Sequence, residues 1–506
     1  MNWIRNIPLF TIVLSLFSGV LCTMLGRKAA RRYTMFYECL LMAAISCVLY
    51  YTHTTELSFT YVMGEFPAPW GNEIRAGVLE ASIALLFVAV LFCSVTAGGR
   101  YLLIDIDESK QNLYYTLINL MTAALMSMTW TNDIFTGYVF LEILTLTSCG
   151  ILIVREIGRT TLAAVRYMIM NLLGSGLFLL GVVLLYDVTG NLLMVPMQRE
   201  ILMLSADPSN RIVIIMGIGI LTIGLSIKSG LFPFHFWMPD TYGWATPSSG
   251  SILSAVVSKC YIFLLIKIYY RVVGMAVFET LPVRNILLVL GMCGIVLGSV
   301  SALHANNINR MVAFSSAAQI GYIYMGIGIG GLAGYTAAVF HIFAHSVTKS
   351  LLFLTTPRLA EMSGNSLLFK RLQSSALKDR AAGIYFIVGG FSMIGIPVFA
   401  GFSSKLLFGM AAVRSGSLLK AVLVMIVLAV SSVLNALYFI RTIIRIYTKP
   451  EADAPDTKAE KEILALQKGR PDYHIPMIIL TAANVFLGLF SWVLVDLIRQ
   501  GLGMFG

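Results

Sequence analysis

Ile227-Lys228-Ser229-Gly230-Leu231-Phe232-Pro233 closes an apolar run that begins near Arg211, and it places a lysine, a glycine and a proline within one helix. Gly395-Ile396-Pro397-Val398-Phe399-Ala400-Gly401-Phe402-Ser403-Ser404-Lys405 repeats that device much later in the chain. Glycine and proline inside a helix release backbone N–H and C=O groups. At membrane depth such groups are tolerated only where protein or water satisfies them. A matched pair of interrupted helices in two halves therefore points to an ion or substrate site at a repeat interface.

The surrounding sequence supports a membrane reading. Of 506 residues, 58% are hydrophobic and only 12% charged, where a soluble protein carries roughly 25% charge. Apolar runs of about 20 residues recur from end to end, each long enough to cross a hydrocarbon core of about 30 Å. A large soluble protein with buried helices is excluded, because no stretch could form its polar surface. Spans are expected near 7–25, 33–51, 77–97, 112–129, 133–154, 161–186, 212–231, 246–270, 285–303, 308–329, 332–356, 382–409, 417–446 and 474–499. The expected fold is an all-α polytopic membrane protein of about fourteen helices in a single transmembrane domain.

Net charge is +11, from 36 basic and 25 acidic residues. In a soluble protein that excess would suggest nucleic acid. Here it lies in short loops: Arg27, Lys28, Arg31 and Arg32; Arg155, Arg159 and Arg166; Lys370, Arg371, Lys378 and Arg380; Arg441, Arg445 and Lys449. Alternate loops are poorer in basic residues, and 52–76 carries Glu56, Glu65 and Glu73. The positive-inside rule then predicts a prokaryotic inner-membrane protein with both termini outside, and nucleic-acid binding is disfavoured. The run Ile7 to Leu25 has no small-residue cleavage signature and is read as a span, not a signal peptide. Residues 447–473 form a charged connector, in which Thr457 to Leu466 reads as a short surface helix or as plain solvated linker.

Seven cysteines fall in or beside apolar runs, with no Cys-x-x-Cys pair, so no disulfide framework, zinc site or iron–sulfur cluster is expected. No phosphate loop, dinucleotide-binding glycine pattern or nucleophile triad appears. No cofactor and no catalytic site are expected in this chain.

What remains is a set of ionisable residues at membrane depth, where each is costly unless paired or neutral. Glu142 lies about two turns inside its run. It is either a structural carboxyl or a titrating partner of a buried lysine. Lys228, beside the Gly230/Pro233 break, either snorkels or forms a Glu–Lys pair whose opening and closing takes up and releases a proton. Lys259 lies near mid-membrane, too deep to snorkel easily, whereas Lys267 and Arg271 read as interface anchors. His341, His345 and Lys349 follow i, i+4, i+8 spacing and share one helix face. Two histidines four apart can bind metal. No third ligand is apparent, so a proton relay is the better reading. Lys405 follows the second break. His235, in Phe234-His235-Phe236-Trp237, is either a gate or a loop histidine.

These segments resemble the antiporter-like subunits shared by respiratory complex I, Mrp-type multisubunit cation/proton antiporters and membrane-bound energy-converting hydrogenases. The resemblance runs from about residue 57 to 446. Phe135 to Leu146, with Glu142, resembles the family's fifth-helix glutamate segment; Lys228 to Asp240, its broken seventh helix; and Ser258-Lys259, its eighth-helix lysine. Asn309-Arg310-Met311-Val312-Ala313-Phe314 is similar to the signature opening the tenth helix, His341 through Lys349 to the eleventh, and Gly395 through Lys405 to the broken twelfth. Tyr61-Val62-Met63-Gly64-Glu65-Phe66-Pro67-Ala68-Pro69-Trp70-Gly71 is most like the D-type Mrp protein and its hydrogenase relatives. Two departures stand out. Arg310 replaces a lysine, and Thr241-Tyr242-Gly243-Trp244 replaces a small, histidine-containing stretch.

The resemblance implies two inverted five-helix repeats, at 112–270 and 285–446, after N-terminal helices in 1–111 and before a last helix in 474–506. It implies a proton-translocating subunit, with protons crossing by Glu142, Lys228, Lys259, His341, His345, Lys349 and Lys405. It implies as partners the lipid bilayer, other membrane subunits of one complex, a neighbouring antiporter-like subunit among them, protons, and sodium if the complex exchanges it. The absence of a long lateral helix after the last span argues against the largest complex I type. The alternatives are a non-conducting scaffold subunit and an independent secondary transporter. The buried ionisable groups argue against the scaffold, and the continuous lysine–histidine line suits protons better than an organic substrate.

Overall fold

A computed structural model describes residues 2–66, 71–449 and 471–505. Helices α1 (Asn2–Met24), α2 (Arg27–Thr55) and α3 (Val78–Ala97) come first; between α2 and α3 stands a hairpin of β1 (Phe59–Val62) and β2 (Glu73–Ala76). The hairpin is antiparallel, with Phe59 opposite Ala76 and Val62 opposite Glu73. It is an addition to the all-α expectation, and the proposed helix within 457–466 lies outside the described residues. The chain continues through α4 (Gln111–Trp130), α5 (Ile134–Ile153), α6 (Gly158–Thr189) and α7 (Pro208–Ser229), the last resumed after a break by Met238–Trp244. Then come α8 (Pro247–Val273), α9 (Val283–His304), α10 (Ile308–Ile329) and α11 (Gly331–Glu361). α12 is in two pieces, Arg380–Ile394 and Ala400–Arg414; α13 spans Leu418–Tyr447 and α14 Pro471–Leu489, with a separate helix Ser491–Gly503 behind it.

Twelve helices among the described residues are long and apolar enough to cross a membrane. The expected count of fourteen also includes α4, which is long enough but rich in Asn, Thr and Ser, and α12, whose pieces are 15 residues each. Length and apolarity alone do not reach fourteen.

The two halves share local devices. The N–H of Ile134 donates to Leu192 O and that of Met194 to Asn132 O. The N–H of Ile308 donates to Leu367 O and that of Phe369 to Asn306 O. Asn132-Asp133-Ile134 and Asn306-Asn307-Ile308 thus open α5 and α10 in the same way, each with a side-chain N-cap. α8 and α11 form the buried centre, whereas α1, α2, α6 and α13 keep apolar faces outward, as lipid-facing helices do.

Close helix contacts depend on glycine. A Cβ at Gly328 would stand 2.4 Å from the Leu288 backbone nitrogen, where α10 crosses α9; at Gly219 no described atom lies within 4 Å. Gly328→Ala should therefore lower the unfolding midpoint in detergent by the overpacking cost of about 1–3 kcal/mol or more. Gly219→Ala should leave it unchanged or slightly raised. Equal effects at the two sites would refute this account of the packing.

Both chain ends lie at one face. Arg75 of β2 donates to the Met504 carbonyl, and α1 packs on β1 and β2. This arrangement corrects one expectation. Lys267 and Arg271 are not interface anchors: they are 0% and 7% exposed. Lys267 Nζ donates to Thr129 O at 2.7 Å, and Arg271 donates to Asn132 Oδ1 at 2.9 Å and Phe505 O at 3.1 Å. Position near a helix end placed them at the interface in the sequence; the C-terminal residues and α4 fold over that end and bury them.

Candidate functional site

The two breaks have one geometry. Gly230 and Gly395 both adopt left-handed conformations, with φ of 80° and 90°. The N–H of Leu231 returns to Ser226 O, and that of Ile396 to Phe391 O. Each closes a Schellman turn, which glycine permits because it has no Cβ. The carbonyls freed nearby find side chains. Trp237 Nε1 donates to Ile227 O at 3.4 Å, Asn435 Nδ2 to Met393 O at 2.9 Å, and Lys405 Nζ to Ile394 O at 2.6 Å. The second break thus positions Lys405 directly, and Ser432 Oγ, 2.9 Å away, accepts its other bond.

Lys228 is fully buried just before the first break. Its Nζ donates to Thr145 Oγ1 at 2.7 Å and lies 5.4 Å from the centre of the Tyr261 ring. Thr145 sits one turn beyond Glu142 on α5, so both residues share a face. Glu142 is within electrostatic reach of Lys228 but not in a direct ion pair, and its Oε1 has no hydrogen-bond partner among the described residues. The outer side of α5, at Phe135, Val139 and Leu146, is exposed.

α8 contains a π-turn at Leu253–Val257, immediately before Lys259. Such turns widen the helix and recur at functional sites. Lys259 Nζ donates to the Ser254 carbonyl and, at 3.1 Å, to Ser258 Oγ. Lys259 is within electrostatic reach of His341, His345 and Lys349, all three buried on α11. The histidine rings stack at 5.8 Å with a 10° interplanar angle. His341 Nδ1 shares a 2.7 Å hydrogen bond with Ser404 Oγ, next to Lys405. Neither ring nitrogen of His345 has a partner among the described residues. Lys349 donates to Val312 O at 2.7 Å and to Ser315 Oγ, so it leans towards α10. Tyr322 bridges the end of the line, its ring 5.3 Å from His341 and 5.9 Å from Lys405 Nζ.

The tertiary structure therefore brings Lys228 against Thr145 of α5, sets the histidines within electrostatic reach of Lys259, and bonds His341 to Ser404, the residue before Lys405. It does not bring in His235, whose contacts are Phe232 and Pro233 of its own turn. Sequence reading missed the side chains that touch these groups: the hydroxyls of Thr145, Ser404 and Ser432 and the ring of Tyr322. Of these, Thr145, three residues from Glu142, and Ser404, directly before Lys405 in the second break, carried a signal. Among the described residues no group of three or more His, Cys, Asp or Glu is placed to hold a metal ion.

Residues 131–433 match the family described as NADH:quinone oxidoreductase/Mrp antiporter, TM. The chain belongs to this family. It is 29% identical over 506 residues to the N-type NADH-quinone oxidoreductase protein of Desulforudis audaxviator, covering 98% of each chain. It is 24% identical to the D-type protein of the Na(+)/H(+) antiporter of Bacillus subtilis, covering 81% of this chain and 80% of that one. The fold superposes with TM-score 0.85 on a chain of the Mrp complex from Dietzia, at 19% identity over 99% of this chain and 97% of that one. A chain of an archaeal membrane-bound sulfane sulfur reductase also gives 0.85, at 23% identity over 100% and 97%. This family member is thus an antiporter-like membrane subunit, and its relatives reside in multisubunit membrane complexes. Identity is higher to the N-type relative than to the D-type one, whose likeness extends over 413 residues.

Proposed function

We propose that this protein moves protons through the membrane along Glu142, Lys228, Lys259, His345, His341 and Lys405, with Lys349 as a side branch towards α10. What supports this reading is the series of ionisable groups on α5, α7, α8, α11 and α12: Lys228, Lys259, His341, His345 and Lys349 are buried, and Glu142 and Lys405, at its two ends, are half-buried. Glu142 and Lys228 form the switching pair. In the described arrangement Lys228 is held by Thr145, so the pair is open; rotation of the lysine towards Glu142 would close it. In a low-dielectric interior a second positive charge beside the first is strongly disfavoured. A proton gained at Lys228 or Lys259 therefore drives release further along. His345, with two unpartnered ring nitrogens, is suited to pass a proton through ordered water. Lys405 serves as the outlet or as the coupling group to a neighbouring antiporter-like protein, whose own glutamate would face it.

The two matched breaks support inverted repeats at 112–270 and 285–446. Concentration of Arg27, Lys28, Arg31, Arg155, Arg159, Lys370 and Arg441 opposite the chain ends supports a cytoplasmic basic face and outside termini. Protons are the cargo proposed, with sodium exchanged only if the partner subunits provide for it. The test uses the native assembly in sealed vesicles, followed with a pH-sensitive dye. Glu142→Gln should reduce proton movement by at least about a hundredfold, as expected for loss of a positioned proton-transfer group, with subunit composition by mass spectrometry unchanged. Normal proton movement in an intact Glu142→Gln assembly would overturn the proposal.

A further inference from the structure

Two spaces on the basic side meet at one pair of arginines. The first, of about 640 Å³, lies between α9, the start of α10 and the end of α13, and is lined by His304, Lys370, Arg441 and Arg445. The second, of about 620 Å³, is an apolar groove on the outside of α13 along Val433, Leu437, Ile440 and Ile444. Arg441 and Arg445 line both, and among the described residues no acidic side chain lines either. Being four apart, the two arginines project from one helix face. Lys370, Arg441 and Arg445 make no ion pair among the described residues, although other arginines on this side do, including Arg31 with Asp472 and Arg155 with Asp105.

Depth and polarity agree. The arginines fall in the last two turns of α13, which ends at Tyr447. Val433 lies eight residues before Arg441, about 12 Å deeper along the helix. The apolar positions 433, 437, 440 and 444 are all more than two-fifths exposed. An unpaired cationic chamber at headgroup depth, opening onto an apolar groove at acyl-chain depth, matches an anionic amphiphile. Neither a free phosphate nor a soluble peptide would use the groove. Basic pockets beside membrane helices bind anionic headgroups where the leaflet is rich in them.

We propose that Lys370, Arg441 and Arg445 hold the phosphate of an anionic phospholipid whose acyl chains lie along Val433 to Ile444 of α13. His304 also lines the headgroup chamber. The site is separate from the proton line and does not depend on it.

The test places the purified complex in phosphatidylcholine nanodiscs with a small fraction of phosphatidylglycerol carrying an acyl-chain diazirine. After photolysis, modified peptides are mapped by mass spectrometry. Labelling should concentrate on Val433 to Ile444 and exceed that from diazirine phosphatidylcholine. Excess inorganic phosphate should not remove it. Arg441→Ala combined with Arg445→Ala should cut it about thirtyfold, since each arginine at an anionic surface contributes about a fivefold factor. Arg441→Lys with Arg445→Lys should retain most of it, and the melting temperature reports whether either protein is still folded. Equal labelling by the two lipids would overturn the proposal. So would unchanged labelling in the folded alanine variant, displacement by phosphate alone, or crosslinks showing another protein chain seated on the groove.

Discussion

Lys228→Ala is expected to collapse proton movement, by about a hundredfold or more, while the complex remains assembled. The magnitude follows from removing a positioned proton-transfer group. Assembly should survive for a structural reason. The side chain makes one hydrogen bond, to Thr145, and lies wholly inside the chain. Its loss leaves Thr145 with its bond to Leu141 O, at 2.9 Å. Lys228→Arg should fail almost as completely, because a guanidinium keeps its proton at any ordinary pH. Thr145→Val should be milder: the lysine remains but loses the partner that holds it away from Glu142. Vesicle proton uptake, measured beside a subunit inventory by mass spectrometry, separates the outcomes. Full uptake by an intact Lys228→Ala complex would mean that the lysine is off the path.

Glu80→Ala is expected to be the most destabilising single change outside that line. Arg75 Nη1 meets Glu80 Oε1 at 2.5 Å, with the side chains only 4% and 1% exposed. Lys267 and Arg271 are within electrostatic reach of the same carboxylate. Removing Glu80 leaves Arg75, Lys267 and Arg271 buried, with Glu73 as the nearby acid, bound to Asn132 at 2.8 Å. Breaking a buried pair from one side costs about 3–5 kcal/mol. Replacing both partners with leucine should cost less than Glu80→Ala alone, because the uncompensated Arg75 charge goes with it. Unfolding midpoints in mixed detergent measure both. A Glu80→Ala protein as stable as its parent would refute the network. This cluster also binds the Met504 and Phe505 carbonyls, so its loss should release the C-terminal end to proteolysis.

Much of this was legible along the chain. Hydropathy alone sets the membrane as solvent, and a lysine next to glycine and proline in an apolar run marks a broken helix. The spacing of His341, His345 and Lys349 puts them on one face, because a helix repeats every 3.6 residues. These are local properties, and the structure agrees with each.

Other features arose only from contacts between segments far apart in sequence. Arg271 reaches Phe505 across 234 residues, which converts an apparent interface anchor into a buried cation. Lys405 faces the Ile394 carbonyl because the helix breaks at Gly395 and its second piece starts beside the end of the first, where the N–H of Gly401 donates to Ser392 Oγ. The π-turn before Lys259 reflects packing around α8, and no residue in Leu253-Ser254-Ala255-Val256-Val257 announces it. The sequence by itself thus determined the solvent, the breaks and which charges lie at membrane depth, since hydropathy and helical period are carried by neighbouring residues. Which side chains touch those charges, and which cations are buried, only the tertiary structure decided, because a charge's partner in a low-dielectric interior is whatever distant helix the packing sets beside it.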